Sequence, residues 1–140
     1  MGRYTDIFYV EDDTDFAFIV ESAVNEVKAE LSIQISMNGK DALSLLDQLC
    51  VERLQPKLIL LDLNLPGISG IDILKKIRAM PFLRYVPVLL FSTSESSKDV
   101  KAALESGANA YVFKPSGYTN LVACLQSIHD FWLFQNARPN

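Results

Sequence analysis

Short apolar runs and segments with helical spacing alternate along the whole chain. Ile7-Phe8-Tyr9-Val10 and Leu58-Ile59-Leu60-Leu61 are unbroken four-residue runs, which read as strands buried on both faces rather than one. The pattern predicts five strands, near Asp6 to Val10, Leu31 to Ser36, Lys57 to Leu61, Val86 to Phe91 and Ala110 to Phe113. No long linker, repeat or low-complexity tract interrupts them. Strands alternating with helices in this way predict an α/β fold, a doubly wound five-stranded parallel sheet covered by helices on both faces.

The helical stripes are legible between the strands. Phe16, Ile19 or Val20, Ala23 and Val27 recur at three or four residues, with Thr14 as the expected N-cap. The second helix follows Asn38-Gly39 and should bury Ala42, Leu45, Leu46 and Leu49. The third follows Gly70, buries Leu74 and Ile77, and stops before Pro81. The fourth, about Ser97 to Ser106, offers only Val100, Ala103 and Leu104, so it should be the most weakly attached. The last, about Tyr118 to Phe134, sets Leu121, Leu125, Ile128 and Trp132 in a seam. Phe131, Leu133 and Phe134 then exceed what one face can bury.

What the strands end in suggests chemistry. Asp62 closes the third run and Glu11-Asp12-Asp13 closes the first. Ligands bind at the carboxyl ends of strands in open α/β sheets. With the first and third strands adjacent, Glu11, Asp12 and Asp62 meet at one pocket. Crowded carboxylates call for a cation, and oxygen-only ligands with room for water suit Mg²⁺ better than Zn²⁺. Each acid also has a simpler reading, as the cap of the helix that follows it. Two further strand ends add Ser92-Thr93-Ser94 and Lys114-Pro115 at the same rim. Acids, a hydroxyl and a lysine are the parts that hold a phosphoryl group.

Composition narrows the classes. A chain of 140 residues is expected to form one domain, residues 1–140, without a separate output domain. Its formal charge of −4 and its lack of a basic cluster denser than Lys75, Lys76 and Arg78 argue against direct nucleic-acid binding. Those three cations read as the solvated face of a helix. No apolar run approaches the ~20 residues of a membrane span, and Met1-Gly2-Arg3-Tyr4-Thr5-Asp6 lacks the features of a secretory leader. A cytoplasmic protein is expected. Cys50 and Cys124 read as reduced packing residues, and His129 as an ordinary helix residue.

Taken together, Tyr9-Val10-Glu11-Asp12-Asp13, Leu60-Leu61-Asp62-Leu63-Asn64-Leu65-Pro66-Gly67 with Gly70, Pro87 to Ser94, and Gly107 to Pro115 resemble the response-regulator receiver domains of two-component signalling. The resemblance spans nearly the whole chain. It implies a flavodoxin-like (βα)5 fold with strand order 2-1-3-4-5. It makes Asp62 the phosphoacceptor, with Glu11, Asp12, Asp62 and the backbone carbonyl of Asn64 holding Mg²⁺. Ser92 would bond the phosphoryl oxygen, Lys114 would offset its charge, and Tyr111 would turn inward in response. The face formed by the fourth helix, fifth strand and fifth helix would carry the signal. The Lys114–Pro115 bond matches one that is cis in the family.

The partners implied are a sensor histidine kinase, hybrid or phytochrome-type kinases among them, and a downstream protein or phosphotransfer protein. The domain would assist its own phosphorylation and dephosphorylation without being an enzyme in the usual sense. Phe131, Trp132 and Phe134 suggest an interface for a homodimer or a docked partner. Two alternatives remain at this stage. One is a pseudo-receiver that serves as a scaffold. The other is a Mg²⁺-dependent phosphatase of the haloacid-dehalogenase kind, which expects a second Asp where Asn64 stands.

Overall fold

The computed structural model describes residues 5–139. Met1-Gly2-Arg3-Tyr4, on which the expectation of no secretory leader partly rests, lies outside them. Strands β1 (Ile7–Val10), β2 (Ile33–Ser36), β3 (Leu58–Leu61), β4 (Val88–Ser92) and β5 (Ala110–Phe113) alternate with helices α1 (Thr14–Val27), α2 (Gly39–Val51), α3 (Gly70–Arg78), α4 (Ser97–Glu105) and α5 (Tyr118–Ile128). All pairings are parallel, in the order β2-β1-β3-β4-β5. The chain therefore steps outward from β1 to β2 and then crosses back past β1 to β3. That reversal opens a crevice at the carboxyl ends of β1 and β3.

The unbroken apolar runs are explained by two cores, one on each face of the sheet. Phe8, Val10, Ile59, Leu61, Val88 and Leu90 point to the side of α2, α3 and α4. Ile7, Tyr9, Leu58, Leu60, Leu89 and Phe91 point to the side of α1 and α5. Successive residues of a strand face opposite sides, so a central strand must be apolar throughout. Strands begin slightly later than the sequence pattern suggests. Just before β1 and β3, Asp6 and Lys57 form an ion pair of 3.1 Å, and the Asp6 carbonyl accepts from the N–H groups of Lys57 at 3.2 Å and Leu58 at 3.1 Å.

Several local expectations are corrected. Asp13, not Thr14, caps α1, its carboxylate accepting from the backbone N–H groups of Asp15 and Phe16 at 3.1 Å. In α1 the expected stripe holds, with Val20 rather than Ile19: Val20 and Ala23 are fully buried and Phe16 and Val27 pack partly against the core, while Ala17 and Val24 join them and Ile19 is exposed. The Lys114–Pro115 bond is trans, as no cis peptide occurs among the described residues. Trans is the intrinsically favoured form by ~0.5–1 kcal/mol for X–Pro, and the chain turns into α5 at Gly117, where φ is 87°. The predicted long last helix ends as an α-helix at Ile128, and His129–Gln135 forms a π-helical turn. The wider turn lets Trp132 and Leu133 pack partly against the core and leaves Phe131 and Phe134 outside. Cys50 and Cys124 are free, half-buried thiols whose burial raises their pKa, in keeping with packing roles.

Arg78 departs most from its expected place on a solvated helix face. Its guanidinium donates to the carbonyls of Gly107 at 2.9 Å and Val86 at 3.1 Å, and to Oδ1 of Asn109 at 2.8 Å. Asn109 Oδ1 also accepts from the N–H of Val88 at 2.8 Å. The end of α3 is thereby tied to the starts of β4 and β5, and Gly107 is needed because φ is 107° and a Cβ there would press on the Arg78 side chain. Arg78→Ala should destabilise the fold by about 1–3 kcal/mol, through half-buried acceptors left unpaired. Arg78→Lys should recover only part of this, since an ammonium cannot reproduce the fork. Urea unfolding checks both, and wild-type stability in the lysine variant would contradict the brace.

Candidate functional site at the carboxyl edge of the sheet

The register of β1 against β3 decides what meets at the crevice. Val10 pairs with Leu61, so the next residues, Glu11 and Asp62, emerge side by side. The N–H of Asp62 donates to the carbonyl of Val10 at 3.1 Å, and that of Glu11 to Ser36 at 3.0 Å. Both acids are held by backbone before their side chains act. Gly70 lies behind this loop, its N–H on the carbonyl of Leu63 at 2.9 Å. A Cβ at Gly70 would strike the backbone carbonyl of Asp62, so a side chain there would displace the strand end that carries the acid.

Glu11, Asp12 and Asp62 each offer an oxygen within 4.8 Å of the others. Glu11 is 1% exposed and Asp62 6%, whereas Asp12 faces solvent. Lys114 reaches in from the end of β5. Its Nζ lies 2.7 Å from Oε1 of Glu11 and 3.5 Å from Oδ1 of Asp62. It also sits 4.6 Å from the centre of the Phe16 ring, whose π face favours a cation. One ammonium thus contacts two of the three carboxylates, Glu11 and Asp62. Burial pushes the Asp62 carboxyl up to about 6, with Lys114 pulling it down and Glu11 adding to the rise.

These residues fit a hard divalent cation. All donors are carboxylate oxygens, the cluster carries more negative charge than Lys114 offsets, and the exposed Asp12 leaves a side open for water or a further oxygen ligand. Asn64 is exposed on the loop after β3, two residues beyond Asp62. Asp13 is committed to capping α1.

The fourth and fifth strands supply the rest. Ser92 is fully buried at the end of β4, and its Oγ accepts from the N–H of Ser94 at 3.1 Å. Ser94 then connects outward. Its hydroxyl donates to Asp99 of α4 at 2.6 Å, and its carbonyl accepts from the hydroxyl of Tyr111 on β5 at 2.9 Å. Tyr111 is half-buried against the core. Helix α4 buries only Ala103 fully, and Leu104 is 48% exposed, which agrees with the thin stripe in its sequence. The residues proposed for the site from sequence therefore fall at one edge, apart from Phe131, Trp132 and Phe134, which lie beyond α5.

Sequence reasoning gave Tyr9 and Phe16 no part in the site, and it placed Ser94 at the rim without a role of its own. Tyr9 donates to Oε1 of Glu11 at 2.7 Å. Burial and the carboxylate beside it raise the Tyr9 pKa, so the phenol stays a donor. The period of two in β1 was the available signal, since it puts Tyr9 and Glu11 on one side.

The raised Asp62 pKa has a definite stability sign. In the metal-free protein, the native state keeps a proton between about pH 4 and about pH 6 that the unfolded chain has lost. The stability this group contributes is present below its unfolded pKa and disappears as pH rises through about 6. Metal-free Asp62→Asn should therefore be more stable than wild type near neutrality, by on the order of 1–3 kcal/mol, and about equal to it near pH 4. Mg²⁺ should narrow the difference by raising the wild-type melting temperature. Thermal melts with and without chelator check this, and a wild type that melts above the variant in chelator at neutral pH would refute it.

Comparison with known proteins agrees with the geometry. The family model for the response regulator receiver domain matches residues 7–126. Response regulator Rcp1 of Synechocystis is 33% identical over 129 residues, covering 91% of this chain and 88% of that protein. A probable methanogenesis regulatory protein, FilR2 of Methanothrix harundinacea, is 31% identical over 95% of this chain and 86% of its own. The crystal structure of the phosphorylated cyanobacterial phytochrome response regulator RcpA superposes with a TM-score of 0.88 at 29% identity, covering 98% of this chain and 99% of that one. The Mn²⁺-bound form of Rcp1 gives 0.82 at 32% identity, over 96% and 98% of the two chains. The chain belongs to the response-regulator receiver domains of two-component signalling.

Proposed function

We propose that this receiver takes a phosphoryl group on Asp62 from the phosphohistidine of a sensor histidine kinase and passes the change to its α4-β5-α5 face. The observation that carries this is the placement of Asp62. It is a buried carboxylate within reach of Lys114 and beside two further acids. With its pKa raised to about 6 it is ionised at neutral pH, yet more basic than an ordinary carboxylate. In the transfer an Asp62 oxygen bonds to phosphorus as the P–N bond breaks, and the electron pair goes to the imidazole nitrogen, which takes up a proton. Glu11, Asp12, Asp62 and the carbonyl of Asn64 would hold Mg²⁺, which supplies positive charge to the phosphoryl oxygens. Lys114 then turns from Glu11 to the new group.

The output follows from the Ser92 and Ser94 bonds. A phosphoryl group adds roughly two negative charges at pH 7. A Ser92 hydroxyl drawn toward it releases the N–H of Ser94, and Ser94 anchors both Asp99 of α4 and Tyr111 of β5. Thinly packed α4 is the element that yields. The kinase would approach beside α1 and the start of α5, where Phe16, Ile19, Pro115, Gly117, Tyr118 and Leu121 line an apolar hollow of about 240 Å³. A phytochrome-type kinase is the partner suggested by the likeness to RcpA, named as a cyanobacterial phytochrome response regulator, and a hybrid kinase is the other candidate. The downstream partner is a protein or phosphotransfer domain rather than nucleic acid, and the compartment is the cytoplasm. No helix among the described residues is long and apolar enough to cross a membrane. Catalysis beyond its own phosphorylation and dephosphorylation is not part of this role. The phosphatase alternative has no support from the family match, and the pseudo-receiver is the reading to test against.

Intact-mass analysis after incubation with a small-molecule phosphodonor should show one phosphoryl adduct on wild type, dependent on Mg²⁺ and absent from Asp62→Asn. A folded, Mg²⁺-bound wild type that takes no adduct would instead be a scaffold. The exposure of Phe131 and Phe134, 52% and 74%, supports a surface just beyond α5 for a homodimer or a docked partner. Replacing both with serine should lower the mass seen by light scattering or weaken kinase binding, and no change in either would discard that surface.

A further inference from the structure

Tyr9 takes no part in holding the phosphoryl group, yet it contacts the most buried acid of the site. In β1, Ile7 and Tyr9 face α1 and α5, and Glu11 leaves the strand on the same side. The Tyr9 ring is fully buried, 6.2 Å from that of Phe91. A phenol in such surroundings needs a hydrogen-bond partner. Its partner is Oε1 of Glu11 at 2.7 Å, and Lys114 Nζ donates to that same oxygen at 2.7 Å. A carboxylate oxygen offers two lone pairs, so Oε1 is filled. Oε2 accepts from the backbone N–H of Asp13 at a long 3.3 Å, and the Glu11 carboxylate also meets the Asp62 carboxyl. Oε2 is the oxygen left for a cation or its water.

We propose that Tyr9 is a positioning residue for divalent-cation binding: its hydroxyl pins Oε1 of Glu11 beside Lys114 and so holds Oε2 toward the space shared with Asp12 and Asp62. The proposal rests on the receiver reading above. Held at two points, the Glu11 carboxylate needs no reorientation when the cation arrives. The same bond matters when Lys114, already 3.5 Å from Asp62 Oδ1, swings toward a phosphoryl group. The Tyr9 hydroxyl then remains on a carboxylate that is 1% exposed and would otherwise lose both donors on that oxygen. Groups that orient a metal ligand from behind typically change affinity by about 10–100-fold when removed.

The test is Mg²⁺ titration by calorimetry on the full chain, wild type against Tyr9→Phe. Phenylalanine keeps the ring and its packing on Phe91, so a purely structural role predicts wild-type affinity. We expect the Kd for Mg²⁺ to rise roughly tenfold in a variant that stays folded. A Kd within about twofold of wild type overturns the proposal. A second readout requires no substitution: in wild type carrying ¹³C at tyrosine Cζ, saturating Mg²⁺ should shift the Tyr9 signal, and an unmoved signal likewise overturns it. Phosphorylation is scored on the same samples by intact mass. A wild type without an adduct removes the phosphotransfer reading, and the affinity comparison then decides the role of Tyr9 by itself.

Discussion

Three carboxylates and one ammonium share the carboxyl edge of the sheet, and the rest of the molecule is arranged around that imbalance. Glu11 and Asp62 are buried and adjacent because Val10 pairs with Leu61 in a parallel register, and neither can move away without breaking that pairing. Lys114 reaches both, but it sits on Glu11 at 2.7 Å and more distantly from Asp62 at 3.5 Å. Burial, with Glu11 adding to it, pushes the Asp62 carboxyl up to about 6, and Lys114 offsets only part of that rise. A site in this state favours any added positive charge, and it accepts a phosphoryl dianion only when that charge is present.

Packing around the sheet is uneven between its elements, not between its two faces. β1, β3 and β4 are apolar on both faces and well covered, so the strand ends are fixed reference points. Helix α4 is fixed much less firmly. Among its residues only Ala103 is fully buried, and Ser96 at its start makes no capping bond through its side chain. What holds it near the site is the bond from Ser94 to Asp99, one step from buried Ser92. A change of charge at Asp62 therefore meets rigid strands on one side and a lightly held helix on the other.

The opposite end of the sheet shows a different use of charge. Arg78 is not a surface cation but a brace, spending its donors on Gly107, Val86 and Asn109. It anchors the entries to β4 and β5, the two strands whose far ends deliver Ser92 and Lys114. The site's precision thus depends partly on a guanidinium far from it.

The sequence by itself determined the elements, their alternation and the acids, hydroxyl and lysine at the strand ends. These are properties of residue order: apolar runs bury, and whatever follows a run emerges at its end. Its unbroken apolar runs marked β1 and β3 as strands buried on both faces, the family resemblance implied their order in the sheet, and the helical period showed that α4 would be thinly packed. The tertiary structure alone decided contacts between distant segments and choices between neighbouring positions of similar chemistry. Asp13 rather than Thr14 caps α1 because its carboxylate is the one aligned with the free N–H groups. A π-helical turn settles which of Phe131, Trp132, Leu133 and Phe134 faces the body, a rotation that composition cannot specify. The inward turn of Arg78 and the bond from Tyr9 to Glu11 likewise follow from what surrounds each residue in space. Pattern fixes which residues can reach the edge of the sheet, whereas packing and desolvation fix which oxygen each donor takes.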